Sequence, residues 1–286
     1  MLGFIGLGVM GGAMCANLTR KSGQPVLAFD QMPAAVAAAV EHGARGASGV
    51  AEVGQADVVF LSLPSITEVE AVAEELLAAE PRPRLLVDMS TSDVSRTRAL
   101  AERLASAGMQ FVDAPVARLR QAAKDGTLLI TVGGTDEQVA ELRPLLECMG
   151  TDIVHAGGIG NGQVLKILNN MVVFLNSNAL AEALAIGRAA GVDPKLLFDT
   201  LTLGSADSFV LRKSAMATMV PDEFPEKMFP TVYAIKDLAL ALRLADEAGI
   251  PAESARRTMG LLERTRDAGY AQNYYPAMIR VIEGRA

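Results

Sequence analysis

Gly6-Leu7-Gly8-Val9-Met10-Gly11 carries the most specific chemistry in the chain. It directly follows the apolar run Leu2 to Ile5 and directly precedes a stretch with helical spacing. In that position the first glycine permits a tight turn, the second lets backbone approach a pyrophosphate, and the third lets helix pack closely on strand. A helix beginning there presents its N–H groups and the positive end of its dipole to phosphate. Asp30 stands nineteen residues after Gly11, at the end of the next apolar run, where a carboxylate accepts hydrogen bonds from both ribose hydroxyls of a dinucleotide. Its charge would repel a 2′-phosphate, and Gln31 rather than an arginine follows it, so the pattern favours NAD over NADP. Taken as structure alone, the same residues make a turn with an aspartate cap.

Two loops that follow apolar runs come next, Ser62-Leu63-Pro64-Ser65 and Asp88-Met89-Ser90-Thr91-Ser92. Their small hydroxyl residues suit contact with a nicotinamide and its ribose, and Leu63, Pro64 and Thr91 are candidate cofactor ligands; helix capping is the plainer explanation. Hydride transfer between an alcohol and a nicotinamide also needs a proton acceptor. With only His42 and His155 present, a lysine, tyrosine or carboxylate must serve. Lys166 lies among Val164, Leu165, Ile167 and Leu168, with Asn170 one turn along the same helical face. Partial burial there would lower its pKa towards neutrality, and Asn170 would hold either the substrate oxygen or the ammonium. A lysine that snorkels to solvent is the competing reading.

These residues need elements to hold them, and 286 residues, of which 50% are apolar, suffice for about two domains with cores of their own. Short β-branched runs (Leu2 to Ile5, Val26 to Phe29, Val58 to Leu63, Leu85 to Asp88, Phe111 to Val112, Leu128 to Val132) alternate with helical stretches (Ala34 to Glu41, Thr67 to Ala79, Val94 to Ala107, Asp136 to Met149). That alternation predicts an α/β fold with a doubly wound parallel sheet covered on both faces, spanning residues 1–157. From residue 158 to residue 286 the pattern is all helical. It opens with a long apolar helix, Gly160 to Ala190, that would be buried between the two halves.

Two cysteines, Cys15 and Cys148, and two histidines speak against a metal site or a disulfide scaffold, so no metal is expected. A net charge of −7 disfavours broad cationic surfaces for nucleic acid or an anionic membrane. The N-terminus lacks a basic segment before an apolar core, and Met171 to Val192 carries Asn176, Asn178, Glu182 and Arg188. Neither reads as a signal or a span, so a cytoplasmic location is expected.

GLGVMG, DMST (Asp88 to Thr91), DAPV (Asp113 to Val116), DGTL (Asp125 to Leu128), GxxxKxxNN (Gly162 to Asn170) and Lys236-Asp237 occur in the order found in the β-hydroxyacid dehydrogenases. The chain resembles that family, which includes 3-hydroxyisobutyrate dehydrogenase, along nearly its whole length. The resemblance implies a Rossmann domain, an all-helical second domain, Lys166 as catalytic acid/base, Asn170 as a substrate ligand, and Lys236 reaching the cofactor from the second domain. It also implies an NAD-dependent enzyme that interconverts a short-chain β-hydroxy acid and its semialdehyde.

One departure stands out. After DAPV the family usually continues Ser-Gly-Gly, whereas this chain has Ala117-Arg118-Leu119-Arg120. That exchange removes a hydroxyl and the freedom of two glycines and adds guanidinium groups. The loop resembles that of sulfolactaldehyde reductase. Ala117, Arg118 and Leu119 are therefore expected to line the substrate site, Arg118 binding an acid group bidentately; on the plainer reading Arg118 or Arg120 pairs with Asp125 or Glu137 at the surface. Three alternatives stay open: a reductase for a sulfonate or another strongly anionic substrate, a succinic semialdehyde or glyoxylate reductase, and a catalytically silent NAD-binding protein. The apolar second half suggests a homodimer or homotetramer.

Overall fold

The computed structural model describes residues 1–226 and 228–285. The chain forms two compact units, Met1–Lys166 and Ile167–Ala286, which divide within the long helix.

In the first unit, β1 (Leu2–Ile5), β2 (Val26–Phe29), β3 (Arg45–Gly46), β4 (Val58–Leu61), β5 (Leu85–Asp88) and β6 (Gln110–Asp113) run parallel in the order β3-β2-β1-β4-β5-β6. Successive side chains on a strand point to opposite faces, and both faces of this sheet are buried. Phe4, Val58 and Phe60 share one core with Met14 and Leu18 of α1 (Gly11–Lys21) and with Val139, Leu142 and Leu146 of α7 (Asp136–Leu146). Ile5, Val59 and Leu61 share the other with Val69 and Leu76 of α4 (Ile66–Leu77) and with Leu100 and Leu104 of α5 (Val94–Ser106). The order of the strands reverses direction between β1 and β4, so the loops after both open at one end of the sheet, the usual place for a ligand in such folds.

The expectation of an all-parallel sheet needs one correction. Strand β8 (Leu128–Gly133) pairs antiparallel with β6 and with the two-residue β7 (Val116–Ala117), and β9 (Gly150–Gly157) pairs parallel with β8. An antiparallel neighbour can be reached by a short return and needs no crossover helix on a sheet face. Here the return holds only β7 and α6 (Arg120–Asp125). The remaining elements of this unit are α2 (Pro33–Glu41) and α3 (Val50–Val53).

Helix α8 (Asn161–Ala189) is continuous for 29 residues. Its length and composition would suffice to cross a bilayer. Three of its polar side chains are buried and bonded: Gln163 to Ser90 and Ser92, Asn170 to Asp237, Ser177 to Tyr275.

The second unit is helical: α9 (Pro194–Leu203), a π-helical turn Leu211–Ala215 running into α10 (Met216–Thr218), α11 (Thr231–Glu247), α12 (Glu253–Thr265) and α13 (Met278–Ile282). Asp193 caps α9 by accepting the Leu196 N–H, and Pro194 occupies its first position. Tyr274 and Tyr275 are buried; their hydroxyls meet Ser214 and Ser177 at 2.8 and 3.2 Å. Their rings pack edge to face, so both tyrosines are core residues.

Candidate active site

The turn between β1 and α1 is built from the glycines for two distinct reasons. Gly6 has φ +92°, and a Cβ on it would stand 2.3 Å from the Ser62 carbonyl oxygen; a Cβ on Gly11 would stand 1.9 Å from the Gly6 oxygen. Those two glycines are required by the packing of the protein on itself. Gly8 is exposed, and a Cβ there would meet nothing within 4 Å. The fold makes no demand for glycine at position 8, whereas a phosphate lying on the backbone would. No side chain caps the first turn of α1. The residues therefore fit a pyrophosphate.

Asp30 closes this turn from the end of β2. Its two carboxylate oxygens accept the backbone N–H of Leu7 at 2.6 Å and of Met32 at 2.8 Å, which holds the glycine turn in place and leaves lone pairs for a ribose. Leu7 is buried, Met10 half-buried and Val9 exposed. Across the sheet, the loop after β4 is tied to the loop after β5: Leu63 donates its N–H to Ser90 Oγ at 2.9 Å. Leu63 and Thr91 are half-buried and Pro64 is exposed. The expected cofactor residues Gly6 to Gly11, Asp30, Leu63, Pro64 and Thr91 thus all follow the C-terminal ends of β1, β2, β4 and β5.

The segment that leads to Lys166 is anchored by a residue to which sequence reasoning gave no role. Asp113, at the end of β6, is fully buried, and its carboxylate accepts the Gly160 N–H at 2.6 Å and the Gln163 N–H at 2.9 Å. It acts as a remote N-terminal cap for α8. Burial pushes the Asp113 carboxyl up to about 6, against the two amides that stabilise its charge. Asp88 stands beside it in the sheet register, where its charge raises the Asp113 pKa further. Gly162 follows from this anchor: a Cβ there would fall 2.4 Å from the Thr131 carbonyl oxygen and 2.7 Å from Asp113 Oδ2. Lys166 is half-buried one turn further on.

Asn170 is buried and donates from Nδ2 to Asp237 Oδ2 at 2.7 Å, while Lys236 Nζ lies 2.9 Å from Asp237 Oδ1. One buried carboxylate therefore collects two of the expected ligand residues. The signal for it was the dipeptide Lys236-Asp237, of which only the lysine was assigned a task.

Arg118 makes a surface ion pair, as the plainer reading has it, but with a different partner. Arg118 adopts φ +86°, a left-handed conformation that is uncommon for a residue with a side chain. Its guanidinium donates to the Thr127 carbonyl at 2.6 Å, to Thr151 Oγ1 at 3.1 Å and to Asp152 Oδ2 at 2.7 Å. Its partner is thus Asp152 on β9, not Asp125 or Glu137. Ala117 is buried in β7 and Leu119 is exposed. Arg120 opens α6. Ser208 caps the following turn by accepting the Leu211 N–H, and Asp207 pairs with Arg212. Cys15 is packed in α1, where burial pushes its thiol up to about 12.

Comparison with known proteins agrees with this geometry. Residues 1–158 match the model of the NAD binding domain of 6-phosphogluconate dehydrogenase, and residues 160–282 match that described as NAD-binding of NADP-dependent 3-hydroxyisobutyrate dehydrogenase. The chain is 35% identical to 2-(hydroxymethyl)glutarate dehydrogenase of Eubacterium barkeri, over 99% of its own length and 94% of the relative's. It is 36% identical to 3-hydroxyisobutyrate dehydrogenase of Pseudomonas aeruginosa, over 99% of both chains. The solved structure of Mycobacterium tuberculosis 3-hydroxyisobutyrate dehydrogenase with L-serine superposes with a TM-score of 0.89 at 31% identity, covering 98% of each chain. Matched along both halves by family models and over almost its full length by these relatives, the chain belongs to the β-hydroxyacid dehydrogenase family.

Proposed function

We propose that the protein is an NAD-dependent dehydrogenase that interconverts a short-chain β-hydroxy acid of the 3-hydroxyisobutyrate type and its semialdehyde. The observation that carries the reading is the pairing of a glycine turn open at Gly8 and closed by Asp30 with an anchored helix that bears Lys166 and Asn170 one turn apart. When bound, the nicotinamide accepts or returns the hydride of the carbinol carbon. Gly6, Leu7, Gly8, Val9, Met10 and Gly11 cradle the pyrophosphate. Asp30 takes the adenine ribose and selects NAD over NADP by charge. Leu63, Pro64 and Thr91 flank the nicotinamide half, and Lys236 contributes a further cofactor contact.

In the oxidation direction Lys166 would take the hydroxyl proton, the O–H electron pair would become the second C–O bond, and the C–H pair would depart with its hydrogen as hydride; reduction reverses each transfer. Asn170, aimed by Asp237, hydrogen-bonds the substrate oxygen. Ala117, Arg118 and Leu119 hold the acid group. Arg118 would exchange Asp152 for the substrate, which is feasible because exposed ion pairs are weak and screened by solvent. The protein is further read as a cytoplasmic homo-oligomer. Leu196, Leu203 and Ile186, exposed on the helices of the second unit, support self-association.

The test is a dehydrogenase assay over 3-hydroxyisobutyrate, 3-hydroxypropionate, L-serine, glycerate, 4-hydroxybutyrate and dihydroxypropanesulfonate, with wild type and Arg118→Gly. Oxidation of a β-hydroxy acid, with kcat/KM lowered about 10- to 100-fold in the variant, is expected for loss of a charge-assisted bond. Absence of turnover across the panel would overturn the reading, and an unchanged variant would remove Arg118 from the site.

A further inference from the structure

Gln163 is fully buried in the first turn of α8, three residues before Lys166. Both ends of its side-chain amide are used. Oε1 accepts the Ser92 N–H at 2.9 Å, and Nε2 donates to the Ser90 carbonyl at 2.9 Å. The two bonds grip the backbone on either side of Thr91, as a strand partner would. The gripped loop is tied further: Ser92 Oγ donates to Asp88 Oδ2 at 2.8 Å, and Ser90 Oγ accepts the Leu63 N–H at 2.9 Å. The backbone N–H of Gln163 itself goes to Asp113. One neutral amide thus indexes the loops after β4 and β5 to the helix that carries the lysine. With no surface of its own exposed, the Gln163 side chain is placed to hold these parts rather than to bind a ligand.

We propose that Gln163 is a positioning residue that sets the spacing between the cofactor loop at Thr91 and Lys166, so that hydride and proton transfer occur in register. The proposal rests on the roles given to Thr91 and Lys166 under Proposed function.

Two variants test it. Gln163→Leu removes both bonds at similar volume. Gln163→Glu keeps an acceptor for the Ser92 N–H but can donate to the Ser90 carbonyl only while the introduced carboxyl is protonated. Asp88 on β5, Asp113 on β6 and Asp93 at the start of α5 favour that protonated form; Lys166 on α8 and Arg98 on α5, which bonds the Ile159 carbonyl and Asn161, oppose it. For Gln163→Leu, kcat should fall about 10- to 100-fold, the scale of a small misplacement of reacting groups, with a smaller change in the NADH Kd measured by fluorescence. Exchange of the Ser92 amide in the cofactor-free protein should accelerate by about tenfold or more, because its bonding partner is gone. For Gln163→Glu, kcat relative to wild type should recover as pH is lowered.

A Gln163→Leu protein with wild-type kcat and wild-type Ser92 exchange would overturn the proposal. So would a Gln163→Glu pH profile parallel to that of wild type, which decides the matter even if the leucine variant does not fold. Lys166→Ala separates the two levels: if it retains wild-type kcat, the underlying reading fails with the proposal, and if it is inactive while both Gln163 variants match wild type, only the proposal fails.

Discussion

Asn170 donates to one oxygen of the Asp237 carboxylate at 2.7 Å, and the other oxygen of that carboxylate lies 2.9 Å from the Lys236 ammonium. Asp237 is only 3% exposed. A buried carboxylate is costly without partners, and these two partners are residues to which the motifs assign a ligand and a cofactor contact. Asp237 therefore orients both, even though it belongs to neither assigned set.

Replacing it tests that relationship. Asp237→Ala deprives the Asn170 amide of its acceptor, and bonds to charged groups contribute about 1.5–3 kcal/mol. We expect kcat/KM to fall about 10- to 100-fold, with a lowered melting temperature. A variant that melts early yet keeps wild-type kcat/KM would reduce Asp237 to packing.

The glycine turn yields a prediction that separates folding from binding. Gly8→Ala adds a methyl that meets no protein atom within 4 Å, so its stability should change by no more than about 0.5 kcal/mol. The NADH Kd should nonetheless rise by about tenfold or more, which corresponds to about 1.4 kcal/mol. Gly11→Ala, whose Cβ would overlap the Gly6 carbonyl, should instead lower the melting temperature. Unchanged NADH binding in Gly8→Ala, measured by fluorescence titration, would argue against a pyrophosphate on that turn.

Asp113 predicts a pH dependence of stability. Its carboxyl is raised from 3.8 to about 6 by burial, so between those values the folded protein holds a proton that the unfolded chain releases. Stability from this group is complete below the unfolded value and declines as pH rises through about 6, by about 3 kcal/mol in all. Asp113→Asn removes the titrating carboxyl. The melting-temperature advantage of wild type over the variant should shrink from pH 4 to pH 7. A constant or growing difference would show that burial does not dominate at Asp113.

The sequence revealed the sheet where strands are apolar throughout, because burial on both faces leaves a continuous run such as Val58 to Leu61. It hid β3 and β7, two residues each, and β9, whose GTDIVHAG mixes polar and apolar positions because only Gly150 of that strand is buried. Strand β8 was legible as Leu128 to Val132, but its antiparallel direction was not, because such a run looks the same in either direction. In the site, Gly6 to Gly11 and Asp30 were legible because their spacing is local. Asp113, Gln163 and Asp237 were not, since Asp113 meets Gly160 across 47 positions and Asn170 meets Asp237 across 67. Arg118 was legible as an anomaly, but its partner Asp152 is 34 residues away and could not be read from spacing.

The central claim, that Lys166 moves the proton while the cofactor is held by other residues, is tested most directly by Lys166→Ala. Steady-state turnover of a β-hydroxy acid and NADH binding by fluorescence should be measured on the same preparation. The account predicts that kcat falls about 10²- to 10⁴-fold, the usual contribution of a general acid/base, while the NADH Kd stays within about threefold of wild type because Gly6 to Gly11 and Asp30 are untouched. A variant that retains wild-type kcat would contradict it.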